Sequence, residues 1–186
     1  MKSIPLFLFS MLFVTIKSYC SECDSIPLTI NISLLKEYYV PYTKPIHYVP
    51  VNDSLKQKIF DIKISLKNTS KDSIRFWMMT CSWDENFLIN NNYIYFSPKE
   101  CDSNFPHTLR IKSGDSVLLY ATLKRDIQVD NPCQNCVEHL WVSTTKLGLI
   151  YIDKNQCDNM LEYDSIINDK SIWSQIIWSN SVYLDK

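Results

Sequence analysis

Residues 60–67 read Phe60-Asp61-Ile62-Lys63-Ile64-Ser65-Leu66-Lys67. Apolar and polar side chains alternate without a break, and that period of two marks a half-buried antiparallel strand. The cluster Asn68-Thr69-Ser70-Lys71-Asp72 then reads as a turn. A second alternation follows, with Ile74, Phe76 and Met78 against Arg75, Trp77 and Met79.

Working outward, the same signal recurs. Residues 86–90 and 93–96 flank Asn91-Asn92, a tight-turn candidate because asparagine tolerates positive φ. Residues 108–112 lead through Ser113-Gly114-Asp115 into Val117, Leu119, Ala121 and Leu123, which reads as a hairpin. Residues 140–144 and 147–152 form another pair around Thr145-Lys146, and 176–184 a final strand. The best helical pattern is 158–170, with Asp158 as N-cap and Met160, Leu161, Tyr163 and Ile167 as its apolar set. Many short strands between turn signals predict an all-β fold: one antiparallel β-sandwich with at most one or two short helices.

Lys36 to Val51 stands apart. It holds Pro41, Pro45 and Pro50 among Tyr38, Tyr39, Tyr42 and Tyr48. Proline excludes it from a central strand, so it reads as an extended strap across the sandwich or along its edge. The tyrosines offer rigid amphipathic area for a sugar ring or a peptide, or else they pack on one another.

Met1-Lys2-Ser3, with Lys2 as the early charge, precedes an apolar run of 13 residues from Ile4 to Ile16. That is shorter than the roughly 20 residues a spanning helix needs, and it fits the apolar region of a secretory signal peptide. Small residues at Ser18 and Cys20 place the cut after Cys20, with a cut after Ser18 as the alternative. The expected organisation is therefore a signal peptide at 1–20, an N-terminal strand and strap at 21–56, and a sandwich core at 57–186 in one domain with 21–56. The expected location is the cell envelope, secreted or periplasmic. A lipid anchor at Cys20 is the competing reading, although Lys17-Ser18-Tyr19 match a lipobox poorly. No second apolar run reaches spanning length, so no transmembrane helix is expected.

The seven cysteines are Cys20, Cys23, Cys81, Cys101, Cys133, Cys136 and Cys157. Without Cys20 an even set remains, the usual stock of a disulfide framework in exported chains. Cys81 and Cys101 bracket a segment that reads like a hairpin, so their strands are expected to be adjacent and the two bonded. Cys23, Cys133, Cys136 and Cys157 would supply two further bonds. Cys133-Gln134-Asn135-Cys136 also has the spacing of a thiol–disulfide exchange pair, but the helix and βαβ setting which that chemistry uses is missing. Zinc bound by Cys133, Cys136, His139 and Cys157 is a third reading, on an unusual ligand spacing.

Composition removes whole classes of activity. The chain of 186 residues has two glycines, Gly114 and Gly148. A phosphate loop, a dinucleotide fingerprint or a GxSxG nucleophile elbow each needs more glycines, or closer ones. The formal charge of −1, from 19 basic and 20 acidic residues, leaves no overall footprint for nucleic acid. No motif joins His47, His107 or His139 to a nucleophile. No catalytic residue, metal or cofactor is assigned.

The runs Asn68-Thr69-Ser70, Phe76-Trp77-Met78-Met79-Thr80-Cys81-Ser82-Trp83, Cys101-Asp102-x-Asn104-x-Pro106 and Ile177-Trp178-Ser179-Asn180 resemble those of uncharacterised exported proteins of Bacteroidetes-type bacteria. The resemblance extends from about residue 57 onward and implies an immunoglobulin-like sandwich without naming an activity. The functional expectation is a non-enzymatic binding or structural module. Its partner, a protein or a glycan, would meet Trp77 and the strap tyrosines Tyr38, Tyr39, Tyr42 and Tyr48.

Overall fold

The computed structural model describes residues 26–41, 56–98, 100–125, 144–157, 159–169 and 176–184. Its strands are β1 (Leu28–Pro41), β2 (Lys56–Asn68), β3 (Ile74–Met79), β4 (Phe87–Ile89), β5 (Ile94–Phe96), β6 (Pro106–Ile111), β7 (Ser116–Arg125), β8 (Thr144–Thr145), β9 (Leu147–Ile150), β10 (Ile176–Trp178) and β11 (Val182–Tyr183). A 3-10 turn covers Trp83–Asn86, and helix α1 covers Met160–Asn168. All strand pairings are antiparallel. The fold is mostly β and sandwich-like, as the alternations predict.

The large sheet has the order β1-β2-β7-β5. Its inner face is the alternation read first: Phe60, Ile62, Ile64 and Leu66 are all fully buried. Each such side chain contributes about 1.5–3 kcal/mol by leaving water. They pack against Ile74, Phe76 and Met78 of β3, Phe87 of β4, Ile111 of β6 and Leu147 and Leu149 of β9, which form the second layer.

Apart from β1 with β2, consecutive strands do not pair with each other. β3 pairs with β6, β4 with β9, and β5 with β7. The turns at 69–73 and 112–115 therefore carry the chain from one sheet to the other. A turn cluster suits either use, so local sequence cannot distinguish them. Asn68 ties both crossings together: its Nδ2 donates to the carbonyl oxygens of Asp72 at 2.7 Å and Ile111 at 3.1 Å. Its Oδ1 accepts from the Ser70 backbone N–H at 2.9 Å.

The strap reading is corrected at its start. Lys36 to Pro41 belong to β1 and pair in register with β2, from Lys36 opposite Asp61 to Pro41 opposite Lys56. Proline is tolerated there because β1 is an edge strand. A bulge between Leu34 and Lys36 leaves Leu35 as the extra residue. Tyr42, Tyr48 and the rest of the strap lie outside the described residues, as does the expected signal peptide.

Helix α1 is shorter than expected, and Asn159 caps it, with Oδ1 accepting from the Glu162 N–H at 3.1 Å. Asp158, the expected cap, lies outside the described residues. Of the expected apolar set, Tyr163 is buried and Ile167 packs inward, but Leu161 is 81% exposed and Met160 faces solvent. The expected last strand is broken at Ser179-Asn180, where side chains take over the bonding. Ser179 Oγ accepts from the Leu147 N–H at 3.0 Å.

Candidate functional site: the outer face of the large sheet

The alternation that sends Phe60, Ile62, Ile64 and Leu66 inward sends Asp61, Lys63, Ser65 and Lys67 outward. The register places β7 residues beside them: Thr122 opposite Asp61, Tyr120 opposite Lys63, and Leu118 opposite Ser65. On the other flank β1 sets Lys36 opposite Asp61 and Tyr38 opposite Ile59. The bulge adds Leu35 to the same face.

The result is a groove of about 480 Å³ lined by Leu35, Asp61, Tyr120 and Thr122, with Ser97 and Pro98 at the end of β5. Tyr120 is 59% exposed and Leu35 is 53% exposed. At its floor the Thr122 hydroxyl donates to Asp61 Oδ1 at 2.9 Å. The Tyr38 phenol bonds to the same carboxylate. Burial, and then that carboxylate, holds the phenol above its usual range. The Lys36 ammonium sits 5.0 Å from the centre of the Tyr38 ring. Further along, the Tyr95 hydroxyl accepts from Gln57 Nε2 at 2.8 Å. A carboxylate has about four acceptor positions, so Asp61 keeps capacity for hydroxyl or N–H donors of a ligand.

The expected residues fall into three groups. Tyr38 joins this face. Tyr39 lies on the other face of the sheet, 61% exposed, opposite Lys58. There the 5% exposed Lys58 ammonium pairs with Glu37 at 3.4 Å and sits 5.9 Å from the Tyr39 ring centre.

Met79 is buried, and Trp77 is half-buried over a second apolar cluster of Met79, Ile150, Ile152, Cys157 and Tyr163. The physical reason is α1, whose Tyr163, Ile166 and Ile167 cover that face of β3. The Trp77 indole N–H donates to the Lys154 carbonyl at 3.3 Å. The structure thus does not bring Trp77, Tyr38 and Tyr39 together. Tyr42 and Tyr48 lie outside the described residues.

Cys81 and Cys101 are bonded, with Cα atoms 6.0 Å apart. They clamp the end of β3 to the segment entering β6. Cys157 is buried, and its thiol donates to the Asn159 carbonyl at 3.1 Å. Cys23, Cys133, Cys136 and His139 lie outside the described residues, so the exchange pair and the zinc set do as well. Trp83 sits in the 3-10 turn. It packs edge-on to Phe87 at 5.8 Å and Phe96 at 6.2 Å. Among the described residues, no helix is long and apolar enough to cross a membrane.

Sequence reading missed Leu35, Asp61 and Tyr120. The signal was present in β7: Val117 to Leu123 is apolar at both parities, with Leu118 and Tyr120 between Val117, Leu119 and Ala121. A strand with one wet face does not read that way.

No family model and no curated protein matches this chain. Among solved structures, a FixG-related protein from Vibrio parahaemolyticus is similar over 72% of this chain and 89% of that chain, with 12% identity and a TM-score of 0.33. A likeness that distant carries no functional argument.

Proposed function

We propose that the protein is an exported, non-enzymatic binding module of the cell envelope, and that its ligand lies on the outer face of the large sheet. The observation that carries this reading is the groove itself. Exposed Leu35 and Tyr120 flank a half-buried Asp61 on a face that sandwich packing leaves to water. A concave apolar site with a few convergent polar groups is the usual form of a ligand site. The Cys81–Cys101 bond supports export, because such bonds persist in oxidising compartments.

The test is an amide chemical-shift titration of the mature protein with short peptides and with neutral and acidic oligosaccharides. Binding moves Leu35, Asp61, Ser97, Tyr120 and Thr122 together. Shifts that cluster elsewhere, or a panel that leaves these five still, overturn the reading. Export is checked separately by the N-terminal residue of the secreted form, expected at Ser21.

A further inference from the structure

We infer that the ligand of this face is an acidic polysaccharide, a chain of hydroxyl-rich rings carrying carboxylates. This rests on the binding role proposed for the same face.

The charge distribution points to it. The outward positions of the four strands carry Lys36, Lys63, Lys67 and Lys124 against a single acid, Asp61, a local balance of 4 − 1 = +3. The whole chain carries −1. Glu37 does not offset these lysines, because it pairs with Lys58 on the inner side. A basic sheet face on a weakly acidic protein attracts a polyanion and orients it.

The side chains between the lysines narrow the chemistry. Tyr120 lies directly opposite Lys63, and Tyr38 and Tyr95 occupy the row of Lys124. Lys36, Lys63 and Lys124 therefore each have a tyrosine on the same or the neighbouring strand, while Lys67 stands between Thr29 and Ser116, so an acid group and an adjoining ring face can be held at once at three of the four. Neighbouring strands are about 4.8 Å apart, close enough for one extended ligand to meet several such rows.

Asp61 decides between two polyanions. A carboxylate at the centre of the groove accepts from ring hydroxyls, and the Thr122 and Ser97 side chains add hydroxyl partners. Asp61 repels either anion, so the preference comes from ring hydroxyls that can turn toward it, which a deoxynucleotide phosphodiester chain does not offer. All four cations are lysines, which give point charges rather than the bidentate fork that guanidinium offers phosphate. The face therefore suits a uronate chain better than a single-stranded nucleic acid.

The test compares an oligogalacturonate, its neutral methyl ester and an oligothymidylate of similar length, by calorimetry and amide shifts on the mature protein. The oligogalacturonate is expected to bind in the groove, and to weaken as salt rises. Tyr120→Ser lowers the affinity about tenfold through the lost ring contact. Lys63→Gln and Lys124→Gln each lower it about threefold. These positions lie outside the core, so an unchanged thermal midpoint certifies each variant. Leu35→Ser stands in for any that fails.

If the methyl ester binds at the same residues as well as the acid does, the acidic assignment falls and the binding role stands. Equal or tighter binding of oligothymidylate overturns it in favour of nucleic acid. If nothing moves the groove residues, both readings fall together.

Discussion

Gly148 lies directly opposite Trp178 and Leu88, in the middle of a three-strand row. A Cβ there meets Ile176 Cγ2 and the Trp178 ring, the latter at 3.0 Å. Gly114 has the opposite problem: open space, but φ of +74°. Gly148→Ala is expected to cost about 1–3 kcal/mol by overpacking. Gly114→Ala costs about 1–2 kcal/mol through the left-handed backbone. Urea midpoints of the two variants read both numbers. A Gly148→Ala protein as stable as the parent would mean that Ile176 and Trp178 yield freely.

Two tyrosines link stability to alkaline pH. Burial first, then the Asp153 carboxylate, pushes the Tyr151 phenol up to about 12. Burial likewise raises Tyr163, whose hydroxyl donates to Asn86 Oδ1 at 2.6 Å. In the unfolded chain a tyrosine ionises near pH 10. Their contribution is therefore fully present below about pH 10 and is lost as pH rises toward 12. Tyr151→Phe should flatten the fall of the urea midpoint across that interval. An unchanged slope would remove Tyr151 from the account.

At the scale of elements, the distinction is between what a strand is and what it pairs with. The period of two in 60–67 was enough to name β2 and the residues it buries. The partner was not legible, because Ser113-Gly114-Asp115 and the cluster at 69–72 serve a sheet-to-sheet crossing as well as a hairpin. The Cys81–Cys101 pairing was anticipated from a hairpin that does not exist. The two cysteines meet because β3 and β6 pair after β4 and β5 have left for other strands.

That bond closes a loop with a sequence separation of 20. Replacing both cysteines by serine is expected to cost about 3 kcal/mol in the chain-entropy account. Thermal melts of the variant against the oxidised parent measure it. A loss well under 1 kcal/mol would show that β3 and β6 hold each other without the link.

The candidate site was hidden for a related reason. Leu35 becomes a groove residue only because the strand bulges there. Asp61 becomes its centre only because β7 supplies Thr122 and Tyr120 beside it. The bulge leaves no mark in the local pattern, and the two-sided apolar run of β7 shows that a face is unusual without showing that it lies beside Asp61. The tyrosines of the strap were visible in the composition, but the strand alternation divides Tyr38 from Tyr39.

Over the whole molecule, stability concentrates in β2. It lies between β1 and β7, and its inner residues Phe60, Ile62, Ile64 and Leu66 all belong to the main core. Amide exchange should be slowest at Ile62, Ile64 and Leu66 and faster in the short pairs β8–β11 and β10–β9. Uniform protection across the chain would contradict this ranking.

A side-chain clasp helps to join the two ends of the described chain. The Asn180 side chain accepts from the Ile32 N–H at 2.7 Å and donates to the Ile32 carbonyl at 3.1 Å. An amide side chain thereby imitates a neighbouring peptide unit at the rim of the large sheet. Unpaired rims recruit other chains, and here the stopper is translated 148 residues after the groups it blocks. During synthesis, the rim at Ile32 can therefore be closed only after residue 180 has emerged.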